Sequence, residues 1–324
     1  MNKTMITIIA LVNAAKYNLP QPYHNKFINS NNYFDAITSK IRLDDLYSHF
    51  VEAGVVERGD KLPVIKVNGF DKLEIEPPIV GGTFNYSSED LIGLQAGIPE
   101  YTQNGSELTA EESLKKKYTA IAKASIENRK ERMAADIFLT GKTSGPKGEE
   151  IDMGLNEVKP LILTGKNVTD EIMNLISDYF TKHSVTPTVE VGIEIFNKIK
   201  NEAKDVKQNL NKISVFGNPA DLSSMYLTIN EFKIGLLTKH KSGETLIDPK
   251  NRITLYNPVS MGVAYAGLTY GDIKTNSTKV IKSRLLANET MVDDVDGSKG
   301  IWAKSAPLPL VINVKQFERY DITL

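Results

Sequence analysis

A run of about 31 residues near 109–139 constrains the fold more than any other part of this chain. Thr109-Ala110-Glu111-Glu112 forms a capping box, in which the Thr109 hydroxyl can accept from the Glu112 N–H while Glu112 reaches back. Leu114, Tyr118, Ile121, Ser125, Met133 and Ile137 then recur at three- and four-residue spacings, predicting one apolar stripe on a helix. Gly141 stops it. At about 1.5 Å per residue such a helix is roughly 46 Å long. Helices of globular domains average nearer three or four turns. The run therefore reads as a strut along which other elements are arranged.

Those other elements are visible as patterns. Residues 16–50 are rich in Asn and aromatics (Tyr17, Tyr23, Phe27, Tyr33, Phe34) without clear periodicity, and predict an extended arm that needs a partner surface. Residues 61–67 and 72–76 flank Asn68-Gly69 and predict an exposed hairpin, the second run alternating apolar and charged residues. Pro77-Pro78 and Gly81-Gly82 are expected to end that strand. Ile172, Leu175, Ile176, Tyr179 and Phe180 predict a second helix, capped by Thr169 or Asn167. Strands are expected at 188–191, 213–216, 253–256 and 261–265, with a charged helix opening at Ile195, Phe196 and Ile199 and reaching about Leu210. This alternation over about 165–285 predicts one compact α/β unit. The apolar run 301–314 holds two strands' worth of residues, and Pro307 and Pro309 suit an edge or a bend.

Composition excludes several classes of function. The 324 residues include no cysteine and four histidines, so there is no disulfide framework, thiolate metal site or cysteine nucleophile. The 39 Lys and Arg against 40 Asp and Glu leave a net charge of -1, which argues against binding nucleic acid by bulk phosphate neutralisation. The apolar run at 5–12 follows Lys3 and loosely mimics a secretory signal, but it is short and broken by Thr7, and reads as a docking arm. No stretch approaches the roughly 20 apolar residues of a transmembrane helix. The lack of cysteine fits synthesis in a reducing cytoplasm.

Enzyme-like motifs fail on context. Gly141-Lys142-Thr143 resembles the end of a phosphate-binding loop, but position 136 is Asp and a helix precedes it. Asp293-Asp294-Val295-Asp296-Gly297 resembles a calcium loop, but Val292 takes the first ligand position and no Glu closes it. His24, His49, His183 and His240 lack metal-ligand spacing. Glu111-Glu112 suits a helix's first turn, and Glu149-Glu150 has no partner group in sequence. No catalytic, cofactor-binding or metal residue is expected.

The order of arm, exposed hairpin, strut helix, α/β unit and C-terminal strands resembles the major capsid proteins of tailed bacteriophages, in the lambda-type (E family) branch. The matching segments are Ile8-Ile9-Ala10-Leu11-Val12-Asn13-Ala14-Ala15-Lys16-Tyr17, Glu150-Ile151-Asp152-Met153-Gly154 after the strut, and Lys304-Ser305-Ala306-Pro307-Leu308-Pro309-Leu310 with Phe317 near the end. The segment 222–251 departs most from the family. The resemblance implies an α+β Hong Kong-phage-type capsid fold. In it, residues 1–50 form an N-terminal arm, 51–100 an E-loop, 101–160 the P-domain with its spine helix, 161–290 the A-domain, and 291–324 C-terminal P-domain strands.

The resemblance further implies a shell protein that self-assembles into pentamers and hexamers of an icosahedral head around double-stranded DNA. Its expected partners are a portal and scaffolding or decoration proteins, with assembly in the bacterial cytoplasm and residence in the virion. An encapsulin-like nanocompartment shell differs by its protein cargo, and a soluble α/β enzyme or ligand-binding protein is the reading from another class. Crosslinking through Lys66 or Lys72 is not expected, because this branch is generally not crosslinked. Residues 57–90 carry seven acidic and four basic groups, while 109–140 carry seven basic and five acidic ones. Glu74 and Glu76 of one loop are therefore expected to meet Arg129, Lys130 or Arg132 of a neighbour's strut, with Lys72 also at a subunit contact.

Overall fold

The computed structural model describes residues 20–28, 32–42, 74–87, 110–162, 167–202, 213–217, 224–229, 232–242, 244–272, 277–291 and 298–323. Four α-helices stand among them: α1 (His24–Ile28), α2 (Ala110–Thr140), α3 (Val168–His183) and α4 (Ile193–Glu202).

Helix α2 is the expected strut. Gly141 ends it with φ +86, and its N–H bonds the Ile137 carbonyl at 2.8 Å. That left-handed conformation is the one glycine adopts without a Cβ clash. Thr109 lies outside the described residues, and Glu111 instead bridges Lys115 at 2.9 Å and Lys299 at 2.8 Å. The buried stripe is Leu114, Ala122, Ile126, Met133, Ala134 and Ile137, with Phe138 and Leu139. Ile121 is 40 % exposed and Ser125 is exposed, contrary to expectation. Spacings of three and of four both describe a helix face, and Ala122 and Ile126 occupy the face the sheets cover.

Two three-stranded sheets pack with α2 around the first core. One runs Tyr33–Asp35, Met261–Tyr265, Pro307–Val311; the other runs Leu286–Met291, Lys299–Ser305, Val80–Tyr86. Pro307 and Pro309 sit on an edge strand opposite Tyr265 and Val263, as proline's missing N–H requires, and the whole strand is buried. Gly81 and Gly82 lie inside a strand, contrary to the expectation that they end one. A Cβ on Gly81 would stand 2.2 Å from the Ala303 carbonyl oxygen, so close backbone approach, not a turn, requires that glycine.

The second core surrounds a seven-stranded sheet in the order Lys159–Ile162, Phe317–Thr323, Arg252–Tyr256, Thr188–Val191, Phe232–Leu236, Tyr226–Ile229, Ile213–Phe216. Val189, Val191, Ile253, Leu255, Leu227 and Ile234 pack there with Ile172, Ile176 and Tyr179 of α3 and Ile195, Phe196 and Ile199 of α4. Phe180 is 54 % exposed, so the apolar face of α3 is narrower than expected. Neither Asn167 nor Thr169 caps α3 by its side chain alone. Glu202 of α4 accepts from the Val168 N–H at 2.8 Å and the Thr169 N–H at 3.1 Å, a charge-assisted cap from a neighbouring helix. The continuation of α4 towards Leu210 lies outside the described residues.

Strand alternation makes this sheet two-sided. Ile253 and Leu255 face the second core, whereas Tyr256 packs in the first; Ile322 faces the second and Phe317 the first. Phe138 of α2 meets Tyr256 and Phe317 edge-on, each at 5.2 Å between ring centres, and so packs α2 onto the first-core face of the large sheet. The strands within 161–290 are shared between the two cores. Strands Met261–Tyr265 and Leu286–Met291 belong with α2, and Phe317–Thr323, expected among the P-domain strands, pairs in the seven-stranded sheet.

The expected hairpin at 61–76 lies mostly outside the described residues. Its described part, Glu74–Ile75, pairs antiparallel with Ile41–Arg42. Residues 222–251, the segment departing from the resemblance, supply two strands of the large sheet and a small hairpin, His240–Ser242 with Thr245–Ile247.

Candidate assembly site

The described part of the arm docks on its own chain, not on an unfilled surface. Tyr23 and Phe27 are 1 % and 0 % exposed. Glu131 of α2 accepts from the backbone N–H groups of Tyr23 at 3.0 Å and His24 at 2.8 Å. The Tyr23 hydroxyl donates to the Thr238 carbonyl, and the Lys26 ammonium pairs with Glu190 of the seven-stranded sheet. The Tyr256 hydroxyl donates to that same Glu190 carboxylate at 3.0 Å. Residues 20–28 thus find their partner surface on α2 and the large sheet of their own chain. Residues 8–17 lie outside the described residues.

The C-terminal end of α2 is held by two guanidinium groups. Arg252 donates to the Leu139 carbonyl at 2.8 Å and forks onto Asp321 at 2.8 and 3.1 Å. Arg319 donates to the same carbonyl at 3.0 Å and to the Asn156 carbonyl at 2.7 Å. Burial first, and then the neighbouring Arg252 charge, pull the Arg319 guanidinium down to about 10. Two cations at a helix C-terminus satisfy its free carbonyls and oppose the helix dipole. Neither arginine, nor Glu131, Lys26 or Glu190, carried a signal in the sequence beyond its place in an alternating or helical run.

The residues expected at subunit contacts lie as follows. Lys72 is outside the described residues. Glu74 is exposed and 3.4 Å from Lys40 of its own chain, and Glu76 is exposed. Lys130 is 7 % exposed and paired with Glu127 at 3.0 Å, so its charge is used inside the chain. Arg132 is half-buried, 3.9 Å from Asp136. Arg129 is half-buried, and burial, with repulsion from Arg132, lowers its guanidinium below its ordinary value. Within one chain nothing brings the acidic pair onto these arginines.

The Gly141-Lys142-Thr143 segment is a helix cap followed by a strand, Lys142–Ser144, paired with Glu150–Asp152. Asp293 to Gly297 lie outside the described residues. Among the described residues no group of three or more His, Asp or Glu is placed to hold a metal ion. Among them, too, no helix is long and apolar enough to cross a membrane.

No curated protein sequence matches the chain. Among solved structures, one assigned to the capsid protein of a prophage of E.coli CFT073 is similar over 100 % of both chains, with TM-score 0.62 and 15 % identity. A phage-related protein from Bordetella bronchiseptica RB50 is similar over 98 % of this chain and 96 % of its own, with TM-score 0.52 and 10 % identity. The SrpI encapsulin of Synechococcus elongatus PCC 7942 aligns over 99 % and 96 % with TM-score 0.47 and 9 % identity. The model of phage major capsid protein E matches residues 4–315. The strut, the paired cores and that match agree: this chain belongs to the phage major capsid protein E family, a family of structural capsid proteins, and has the α+β Hong Kong-phage-type capsid fold.

Proposed function

We propose that copies of this chain polymerise into an icosahedral head around double-stranded DNA, assembled in the bacterial cytoplasm and carried in the virion. The observation that carries this reading is the capsid family match over residues 4–315. The wall does no chemistry in this reading and needs no cofactor. A net charge of -1 suits an enclosure that must hold packed DNA without gripping it, since each fixed cationic patch would add a salt-sensitive attraction.

Exposed apolar groups support self-association. Val215 and Phe216 are 40 % and 47 % exposed on an edge strand of the large sheet, and Ile162 is 73 % exposed on the opposite edge strand. Bare apolar sheet edges favour pairing with another chain unless a partner covers them. In the capsid reading the seven-stranded unit is the A-domain, α2 with its two smaller sheets is the P-domain, and residues 51–100 hold the E-loop. Glu74 and Glu76 remain the loop's candidate contacts, with Arg129 and Arg132 as their partners on a neighbouring spine helix. A portal and scaffolding or decoration proteins complete the set of partners.

Negative-stain microscopy of the purified full chain tests the proposal. Capsomers or closed shells, with nucleic acid in shells recovered from infected or induced cells, are expected. Shells filled with protein cargo would replace it with a nanocompartment, and a stable monomer at high concentration would overturn it.

A further inference from the structure

Helix α1 is held against α2 and the large sheet through a small set of contacts, and a buried histidine lies among them. His24 is 5 % exposed, and neither of its ring nitrogens has a hydrogen-bond partner. Lys130 and Glu127 of α2 act on its charge, and the elements packed around α1 carry further polar groups. From α2 come Glu127, the buried Lys130 paired with it at 3.0 Å, and Glu131, which caps the first turn of α1. Gln21, just before α1, donates to the Glu127 carboxylate at 3.3 Å. From α1 itself comes Lys26, which reaches across to Glu190 of the large sheet. From the strand Met261–Tyr265 comes Tyr265, whose ring lies 5.6 Å from the Lys130 ammonium. Thr238, just before the small hairpin, accepts from Tyr23, and His240, the hairpin's first residue, has its ring 6.1 Å from that of Tyr23.

We propose that α1 is an acid-sensitive latch: protonation of His24 places a second, unpaired cation beside buried Lys130, and α1 releases from α2 and the large sheet. The geometry makes the docked site intolerant of an imidazolium. Both ring nitrogens would be donors with no acceptor, in a place where an unpaired buried charge is costly. Because α1 docks within one chain, the proposal stands whether or not the chain assembles.

The signs follow from linkage. Burial, then the Lys130 charge, push the docked His24 ring from 6.5 down to about 4, against a smaller pull from Glu127. The undocked ring therefore takes a proton first, and docking weakens as pH falls from 6.5 towards 4. Burial works against the Glu127 carboxylate, but Lys130 and Gln21 hold it below its ordinary 4.5, so it adds to release below that pH. Burial raises Glu131 above 4.5 despite its two N–H partners, so it opposes release. The His24 contribution alone amounts to on the order of thirtyfold in the docking equilibrium between pH 7.5 and 5.

Amide hydrogen exchange of residues 23–28 in the full-length protein, scaled to the intrinsic rate at each pH, reads this equilibrium. The wild-type opening constant is expected to rise about ten- to thirtyfold from pH 7.5 to 5. His24→Phe, which keeps the ring's bulk without its titration, is expected to lose that rise. Lys130→Met, which removes the facing cation, is expected to shrink it. Protection of wild type that is independent of pH overturns the latch. So does an undiminished rise in His24→Phe or, should that variant not fold, in Lys130→Met.

Discussion

The Arg319 guanidinium donates to the Leu139 carbonyl at 3.0 Å, so the end of the 31-residue helix α2 is anchored by a strand 180 positions further along the chain. Arg252 reaches the same oxygen from the adjacent strand. Orientation of the spine against the large sheet thus rests on a few polar contacts beside the aromatic joint.

Arg319→Met should test that anchor. It leaves the Asn156 carbonyl without its donor and Leu139 with one guanidinium in place of two. Loss of about 2–3 kcal/mol is expected from charged hydrogen bonds of this kind. Chemical denaturation of the full chain measures it, and an unchanged midpoint would show that Arg252 alone suffices.

The joint itself is open to a core truncation. Phe138 is fully buried between Tyr256 and Phe317. Phe138→Ala should cost about 3–5 kcal/mol. Because Tyr256 and Phe317 stand on strands whose opposite face carries the second core, calorimetry should show both cores losing stability together. A variant that melts only one unit would mean the cores are coupled elsewhere.

Two adjacent glycines should respond differently to the same change. At Gly81 a Cβ would meet the Ala303 carbonyl at 2.2 Å, whereas at Gly82 the nearest atom is the Phe84 ring at 3.9 Å. Gly81→Ala should destabilise by about 2 kcal/mol or more through forced backbone movement. Gly82→Ala should lie within about 0.5 kcal/mol of wild type or slightly above it. Equal thermal midpoints for the two variants would contradict this assignment of close approach.

An acid-dependent term is expected from Glu318. Its burial favours the neutral acid, but Lys182, Tyr320 and His183, the last at 3.2 Å, together hold it below the ordinary 4.5. A carboxylate with a lowered folded value stabilises fully above 4.5 and loses that contribution as pH falls through the folded value. Glu318→Gln should therefore melt below wild type near neutrality, with the gap closing under acid conditions. A gap that is constant with pH would point to packing alone.

Charge reversal tests the subunit pairing. Glu74→Lys with Glu76→Lys should impair assembly, and Arg129→Glu with Arg132→Glu should restore it when combined. The effect belongs mainly to assembly rate and register. Light-scattering kinetics with microscopy would show it, and normal assembly of the first variant would dismiss the pairing. Because Arg132 also approaches Asp136, Arg129→Glu alone is the cleaner half of the rescue.

Local chemistry made much of the frame legible. Gly141 closes α2 as its position suggested, Ile172, Ile176 and Tyr179 define the buried face of α3, and Pro307 and Pro309 mark an edge strand. The misreadings share a cause. Ile121 and Ala122 both satisfy helical spacing, and only the sheets packed on α2 select the second. Gly81-Gly82 looks like a turn in isolation, yet it pairs with Lys304 and Ala303. Among the expected contact residues, Lys130 carries the same formal charge as Arg129, but one is buried on Glu127 and the other half-buried.

The sequence by itself determined that α2 stops at Gly141, which residues of α3 form its apolar face, and that the strand carrying Pro307 and Pro309 suits an edge. Those properties arise from backbone dihedrals, periodicity and missing donors within a few residues. Tertiary structure alone decided that Tyr23 and His24 dock on Glu131, that Phe317–Thr323 leaves its neighbours for the large sheet, and which charges remain exposed. Those outcomes depend on surfaces assembled from residues a hundred or more positions apart, where burial and the nearest opposite charge set each group's fate.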